Sequence, residues 1–227
     1  MDAMELRSLK KKIAVLVPIT FLFLILVLFL PAGTLNYWEA WVYCAILFGI
    51  LLFIVAYFLR NAPELLVRRT HTGEKEPAQR RIVGAATVLF FLGFLIPGLD
   101  HRFSWSYVPT PVVLAADLLV ITGYALVFLV FRENRYASRV VEVVPGQNVI
   151  SSGPYAVVRH PMYLGVSIMW LATPVALGSY WALPVFLIVP VALIFRIRNE
   201  EEVLLRDLPG YRDYRQRVRY RLVPGIW

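Results

Sequence analysis

Two stretches concentrate the side chains able to do chemistry. Residues 151–165 read SSGPYAVVRHPMYLG and residues 195–205 read FRIRNEEEVLL. In the first, Gly153-Pro154 reads as a turn. Pro161 stands where proline opens a helix, with apolar residues following. Arg159 and His160 therefore lie at a helix N-terminus, where unpaired N–H groups and the positive dipole end suit an anion. Arg159 adds a planar fork that fits a carboxylate. The bland reading of the pair is a snorkelling arginine and a capping histidine. In the second stretch Arg196 and Glu200 are four apart and share a helix face. Taken alone they read as an exposed ion pair. Glu201 and Glu202 extend the acidic run.

Other polar residues offer less. Glu133, Asn134 and Tyr136 follow an apolar run and can reach the same region. Asp117 lies inside that run, close to its far end, and is expected to snorkel or cap there. His71 falls in a polar loop and His101 on the opposite side of the membrane, so neither joins His160 in a metal site. Cys44 is the single cysteine, which excludes an intramolecular disulfide and a cysteine-cluster metal site. No metal centre is expected. No Gly-x-Gly-x-x-Gly follows a strand pattern, and no Ser-His-Asp set is legible.

The elements that position these residues follow from hydropathy. Of 227 residues, 59% are hydrophobic and 17% charged, too apolar a balance for an ordinary soluble domain. A helix needs about 20 apolar residues to span a bilayer. Four runs qualify: 13–30, 41–59, 82–99 and 112–131. A fifth apolar region, 163–197, is too long for one span and breaks at GSYW, 178–181, into two arms of a tight hairpin. Pro184 then falls in the first turn of the second arm, and Pro174 and Pro190 in helix interiors. The first run is too long, and lacks a small-residue cleavage site, for a removed signal peptide. The fold expected is all-α: a polytopic membrane bundle of about six transmembrane segments, with a C-terminal hairpin and an amphipathic cytosolic tail helix.

Charge sets the orientation. With six crossings, 22 of the 23 Lys and Arg residues fall on one side and Arg102 alone on the other. The positive-inside rule places both termini in the cytosol, which in a bacterium means the inner membrane. The formal charge of +8 then serves topology and anionic headgroups rather than nucleic acid, because basic residues flank the spans instead of covering a folded face. The tail LPGYRDYRQRVRYRLVPGIW sets Tyr211, Tyr214, Val218 and Leu222 at helical spacing with arginines between. It reads as a surface helix on headgroups, or as the floor of a pocket. Polar chemistry has room only on the cytosolic side. The chain divides into four N-terminal spans, 1–131, and a core, 132–227.

GQNVISSGPYAVVRHPMYLG, a hairpin, and RIRNEEEVLLRDLPGYRDYRQRVRYRLVPGIW together resemble the isoprenylcysteine carboxyl methyltransferase family, whose architecture the phospholipid N-methyltransferases share. The resemblance covers about residues 131–227. It implies S-adenosylmethionine as cofactor, with S-adenosylhomocysteine as product. It also implies that Gln147, Gly153, Tyr155, Arg159, His160, Pro161, Tyr163, Glu200 and Glu201 form the pocket. Arg196 and Glu200 are the catalytic candidates, with Arg196 steering the acceptor. Glu202 stays open as an alternative member of the glutamate pair. Gln147 stands where relatives often carry histidine; it can donate and accept hydrogen bonds but takes no proton at neutral pH.

The function implied is methyl transfer to a lipophilic acceptor, a carboxylate, thiol or amine, at the cytosolic interface. Membrane lipids are the expected surroundings, and no obligate protein partner is inferred. Two other readings compete. One is an NADPH-dependent, sterol-reductase-like membrane reductase, a group that carries a similar Arg-His-Pro element. The other is a non-catalytic membrane protein whose charges only anchor helix ends.

Overall fold

The computed structural model describes residues 3–70, 77–137, 143–144 and 146–227. His71, Lys75 and Arg139 lie outside them. Among the described residues the chain is helical throughout, without strands. The helices are α1 (Ala3–Ala32), α2 (Trp38–Asn61), α3 (Pro63–Thr70), α4 (Pro77–Phe103), α5 (Thr110–Glu133), α6 (Pro161–Ala176), α7 (Leu183–Asp207) and α8 (Tyr211–Arg217). A single 3₁₀ turn covers Gly153–Ala156.

Among the described residues, α1, α2 and α5 are long and apolar enough to cross a membrane. Each turns large apolar side chains outward: Leu22, Phe53 and Leu118 are all more than half exposed. In water that would be costly; against acyl chains it is the expected surface. The protein is an integral membrane protein. α4 contains the run 82–99, and α6 and α7 are the hairpin arms, broken at the GSYW segment.

The two arms differ in length, and the difference matters. α6 has 16 residues and α7 has 25. At about 1.5 Å per residue the second arm is the longer by roughly 13 Å. Its surplus falls at the charged C-terminal end, which overshoots the start of α6, and there Glu201 meets Arg159 and His160. Pro184 sits in the first turn of α7, and Pro174 and Pro190 are interior, as the sequence predicts.

α5 and α6 meet backbone to backbone. A Cβ on Gly123 would stand 2.6 Å from the carbonyl oxygen of Gly165, and one on Gly165 would stand 2.8 Å from that of Gly123. Glycine at both positions permits this approach, as small residues do between membrane helices. The glycine ending the Arg-His-Pro-x-Tyr-x-Gly element is thus a packing residue. Phe94, Trp170 and Phe186 fill the space among α4, α6 and α7. At the end of the bundle far from Arg159, buried Asp100 accepts hydrogen bonds from the Ser106 amide, the Ser106 hydroxyl and the Ser179 hydroxyl. This network ties the loop after α4 to the turn between the hairpin arms.

Two expectations are corrected. Asp117 does not snorkel: it is 4% exposed, and among the described residues neither carboxylate oxygen has a hydrogen-bond partner. The long tail helix is also not formed. α8 ends at Arg217, after seven residues. The chain then doubles back, because the amides of Arg159 and His160 donate to the carbonyls of Tyr220 and Arg221 at 2.9 Å each. Two unpaired donors at the mouth of α6 compete successfully with helix continuation.

Candidate active site

Pro161 opens α6, and His160 precedes it without a side-chain capping bond. Both flanking side chains turn instead toward α7. Arg159 donates from Nε to Oε1 of Glu201 at 2.6 Å. His160 Nε2 lies 3.3 Å from the same oxygen. Arg221 donates from Nε to Oε2 of Glu201 at 2.9 Å. Arg159, His160 and Glu201 are each about 95% buried or more. Burial alone would raise the Glu201 carboxyl. The hydrogen bonds from His160, Arg159 and Arg221 outweigh it and hold the group well below the usual carboxylate range.

Arg159 is also pinned from the tail. Its Nη1 donates to the carbonyls of Val218 at 2.8 Å and Arg219 at 2.7 Å. Nε and Nη1 are thereby committed to the protein, and among the described residues Nη2 makes no hydrogen bond. Beyond Arg221 the chain tucks Leu222 against Tyr163 and Ile197. Segment 218–227 is therefore a strap across the start of α6, and no free amphipathic helix.

Beside this buried cluster runs a second, more open one. Tyr163 donates its hydroxyl to Oε2 of Glu200 at 2.6 Å. Arg196 donates from Nε to the Tyr163 oxygen at 2.9 Å. Arg196 and Glu200 share a face of α7, as their spacing requires, and Tyr163 bridges them. All three line a cleft that runs from the α6–α7 mouth to the loop after α5.

The far wall comes from the loop and α8. Asn134 Nδ2 donates to the Tyr155 hydroxyl at 2.9 Å, and the Tyr214 hydroxyl donates to the Tyr155 carbonyl at 2.8 Å. Burial pushes the Tyr155 phenol up to about 12, so it stays protonated. Gln147 lines the cleft and accepts from the Val144 amide at 3.1 Å. Ser152 donates to Glu133, which ties the 3₁₀ turn to the end of α5.

Of the residues singled out from sequence, Gln147, Tyr155, Arg159, His160, Tyr163, Arg196 and Glu200 line the cleft together. Gly153, Pro161 and Glu201 do not line it. Gly153 has φ of +56°, so its contribution is a turn only glycine makes freely. Pro161 starts α6. Glu201 anchors the buried cluster, and Glu202 is exposed. Among cleft residues, Asn134 and Tyr136 were anticipated, whereas Asn148, Met162, Val203 and Leu208 carry no legible sequence signal. Tyr211 and Tyr214, expected either on a headgroup-facing helix or on the floor of a pocket, are both buried on the cleft wall. Their three-residue spacing was the available clue.

The cleft can be tested for a polar ligand on one observation. The Tyr211 hydroxyl is buried and among the described residues has no hydrogen-bond partner. With Glu200, Arg196, Gln147 and Asn148 also on the wall, the donor and acceptor set fits a ligand with a zwitterionic end, ribose hydroxyls and a base. S-Adenosylmethionine has this composition.

Comparison with known proteins gives the following. Residues 112–209 match the phospholipid methyltransferase family model. Against the Delta(14)-sterol reductase TM7SF2 of Mus musculus the chain is 32% identical over 132 residues, 52% of this chain and 31% of the reductase. The chain thus spans about a third of the length of that curated relative. The eukaryotic intramembrane Ras methyltransferase ICMT (isoprenylcysteine carboxyl methyltransferase) superposes with a TM-score of 0.47 at 16% identity, covering 96% of this chain and 85% of that one. The family match begins inside α5, one helix before the stretch that carries the sequence resemblance, and takes in the Gly123 contact with α6. Over residues 112–209, less than half of the chain, the sequence is thus similar to the phospholipid methyltransferases.

Proposed function

We propose that this chain is an S-adenosylmethionine-dependent methyltransferase acting on a lipophilic acceptor at the cytosolic face of the membrane. The observation that carries it is the convergence of Arg159, His160 and Tyr163 with Arg196 and Glu200 on one cleft. The family match over 112–209 supports the same reading. When bound, S-adenosylmethionine supplies a methyl group on a sulfonium, already a good leaving group. The protein's task is then orientation more than strong acid or base catalysis.

Each residue has a part in that orientation. Tyr163 and Glu200 present a polarised hydroxyl and a carboxylate, suited to ligand amine or hydroxyl groups. The rings of Tyr155 and Tyr163 offer faces that attract a cation. Arg196 stands at the α6–α7 mouth, where it can hold an anionic or polarisable acceptor group in line. Glu201, Arg221 and the strap fix Arg159 and leave Glu200 to the ligand. The 132–227 segment carries this chemistry, with α5 as its support. α1, α2, α4 and α5, with the hairpin, would make six crossings and leave both termini in the cytosol; the 22-to-1 division of basic residues supports it.

Isothermal titration with S-adenosylhomocysteine tests the donor site, and incubation of lipid extracts with radiolabelled donor tests the acceptor. The identity to a sterol reductase favours a second reading, an NADPH-dependent reductase. Saturable binding of NADPH without binding of S-adenosylhomocysteine selects that reading and rejects the first.

A further inference from the structure

Tyr211 opens α8 and packs in a cluster with Leu208, Tyr214 and Val218. It is 3% exposed and lines the cleft. Neighbouring Tyr214 spends its hydroxyl on the Tyr155 carbonyl, but among the described residues the Tyr211 hydroxyl has no partner. A buried donor without an acceptor is costly, and proteins seldom retain one without a use. The charged groups that act on this hydroxyl are Glu201, Arg159 and Glu200. Glu201 is occupied on both oxygens by Arg159, His160 and Arg221. Glu200 receives Tyr163. Arg159 retains Nη2. Tyr211 and Arg159 both line the cleft, and each keeps a donor, an O–H and Nη2, that among the described residues has no partner; together they suit an anionic acceptor.

We propose that the Tyr211 hydroxyl is a ligand contact, donating with Arg159 Nη2 to the carboxylate of the cofactor's amino-acid end. This rests on the methyltransferase reading and deepens it. It also gives α8 a role: the LPGY turn, with Gly210 at φ of +83°, aims a phenol at the cleft instead of at headgroups.

The test is Tyr211→Phe in the full-length protein, purified in detergent. Thermal unfolding without ligand is measured first. Binding of S-adenosylhomocysteine is then compared with that of methylthioadenosine, which lacks the amino-acid end. The expected result is an unliganded Tm equal to or above the parent's, since Phe removes an unsatisfied group. S-Adenosylhomocysteine affinity falls about tenfold, and methylthioadenosine affinity stays within twofold. A clear fall in unliganded Tm would mean that the hydroxyl has a structural partner, and overturns the proposal. Unchanged S-adenosylhomocysteine affinity overturns it also, as does an equal loss for both ligands. If the parent protein binds neither ligand, the methyltransferase reading has failed, and the proposal with it.

Discussion

Glu200 and Glu201 are adjacent in sequence, yet their carboxylates end in different surroundings. Glu200 accepts the Tyr163 hydroxyl at 2.6 Å on the cleft wall, while Glu201 is buried and holds Arg159 at 2.6 Å. Successive residues on a helix point about 100° apart, so a pair of glutamates can serve a ligand and a structural cluster at once. Breaking the second should cost stability. Glu201→Ala leaves Arg159 and His160 buried without their carboxylate, a loss of about 3–5 kcal/mol. Glu200→Gln keeps a hydrogen-bond acceptor at a half-buried position and should leave Tm within a few degrees of the parent, while weakening S-adenosylhomocysteine. Thermal unfolding and titration on the two variants check the division. Equal losses of stability in both would remove it.

The same cluster sets a pH dependence. The folded pKa of Glu201 lies below the usual value of 4.5. Between the folded and unfolded pKa values the unfolded chain binds more protons, so stability rises with pH across that window. The contribution is therefore fully present above about pH 5, and is lost as pH falls below 4.5 toward the folded value. Unfolding followed from pH 7 down to pH 3 should show a decline in the parent that is absent, or much reduced, in Glu201→Gln. The difference between the two curves isolates this group from the other carboxylates titrating in the same range.

The apolar helices α1, α2 and α5 and the break between α6 and α7 are legible because lipid imposes a length and a composition, and GSYW breaks both. Arg159, Tyr163, Arg196 and Glu200 were legible because charge and phenol beside apolar helices require a reason. The roles of Gly153 and Glu201 were not. A motif carries residues that shape a site together with those that touch a ligand, and only burial and partners separate them. The tail misled for a different reason. Tyr211, Tyr214, Val218 and Leu222 follow helical spacing, but the first three serve one cluster and Leu222 another. The turn at 218 depends on donors at Arg159 and His160, some 60 residues earlier, as the bonds to Val218 and Arg219 also do. No local pattern encodes such a contact.

The α5–α6 crossing should be sensitive to a single methyl group. At Gly123 a Cβ would meet the Gly165 carbonyl at 2.6 Å, and a backbone atom cannot swing aside as a side chain can. Gly123→Ala must part the two helices, at a cost of about 1–3 kcal/mol. Because α6 carries Tyr163 and its start positions Arg159 and His160 at the cleft, ligand affinity should fall along with Tm. Gly49→Ala in α2 is the control: its Cβ would meet nothing within 4 Å, so helix propensity alone predicts a neutral or slightly stabilising effect. Tm and S-adenosylhomocysteine affinity measured on both variants decide the matter, and an unperturbed Gly123→Ala would contradict the contact.

Asp117 offers the opposite sign. Asp117 is 4% exposed, with both carboxylate oxygens unpartnered among the described residues, inside the apolar helix α5. Asp117 lies two turns into α5, whereas the cleft begins beyond its last residue, so the group has no part in the proposed chemistry. Removing an unsatisfied buried polar group returns its desolvation cost, about 1–3 kcal/mol, and leucine has a volume that an apolar bundle accepts. Asp117→Leu should therefore raise Tm, or at least not lower it, with S-adenosylhomocysteine affinity unchanged. Asp117→Asn, which keeps an unsatisfied polar group in place, should recover less. A destabilised Asp117→Leu with a normal Asp117→Asn would reveal a hydrogen-bonding partner for this side chain in the membrane-embedded protein, and would mark the position as a second polar site.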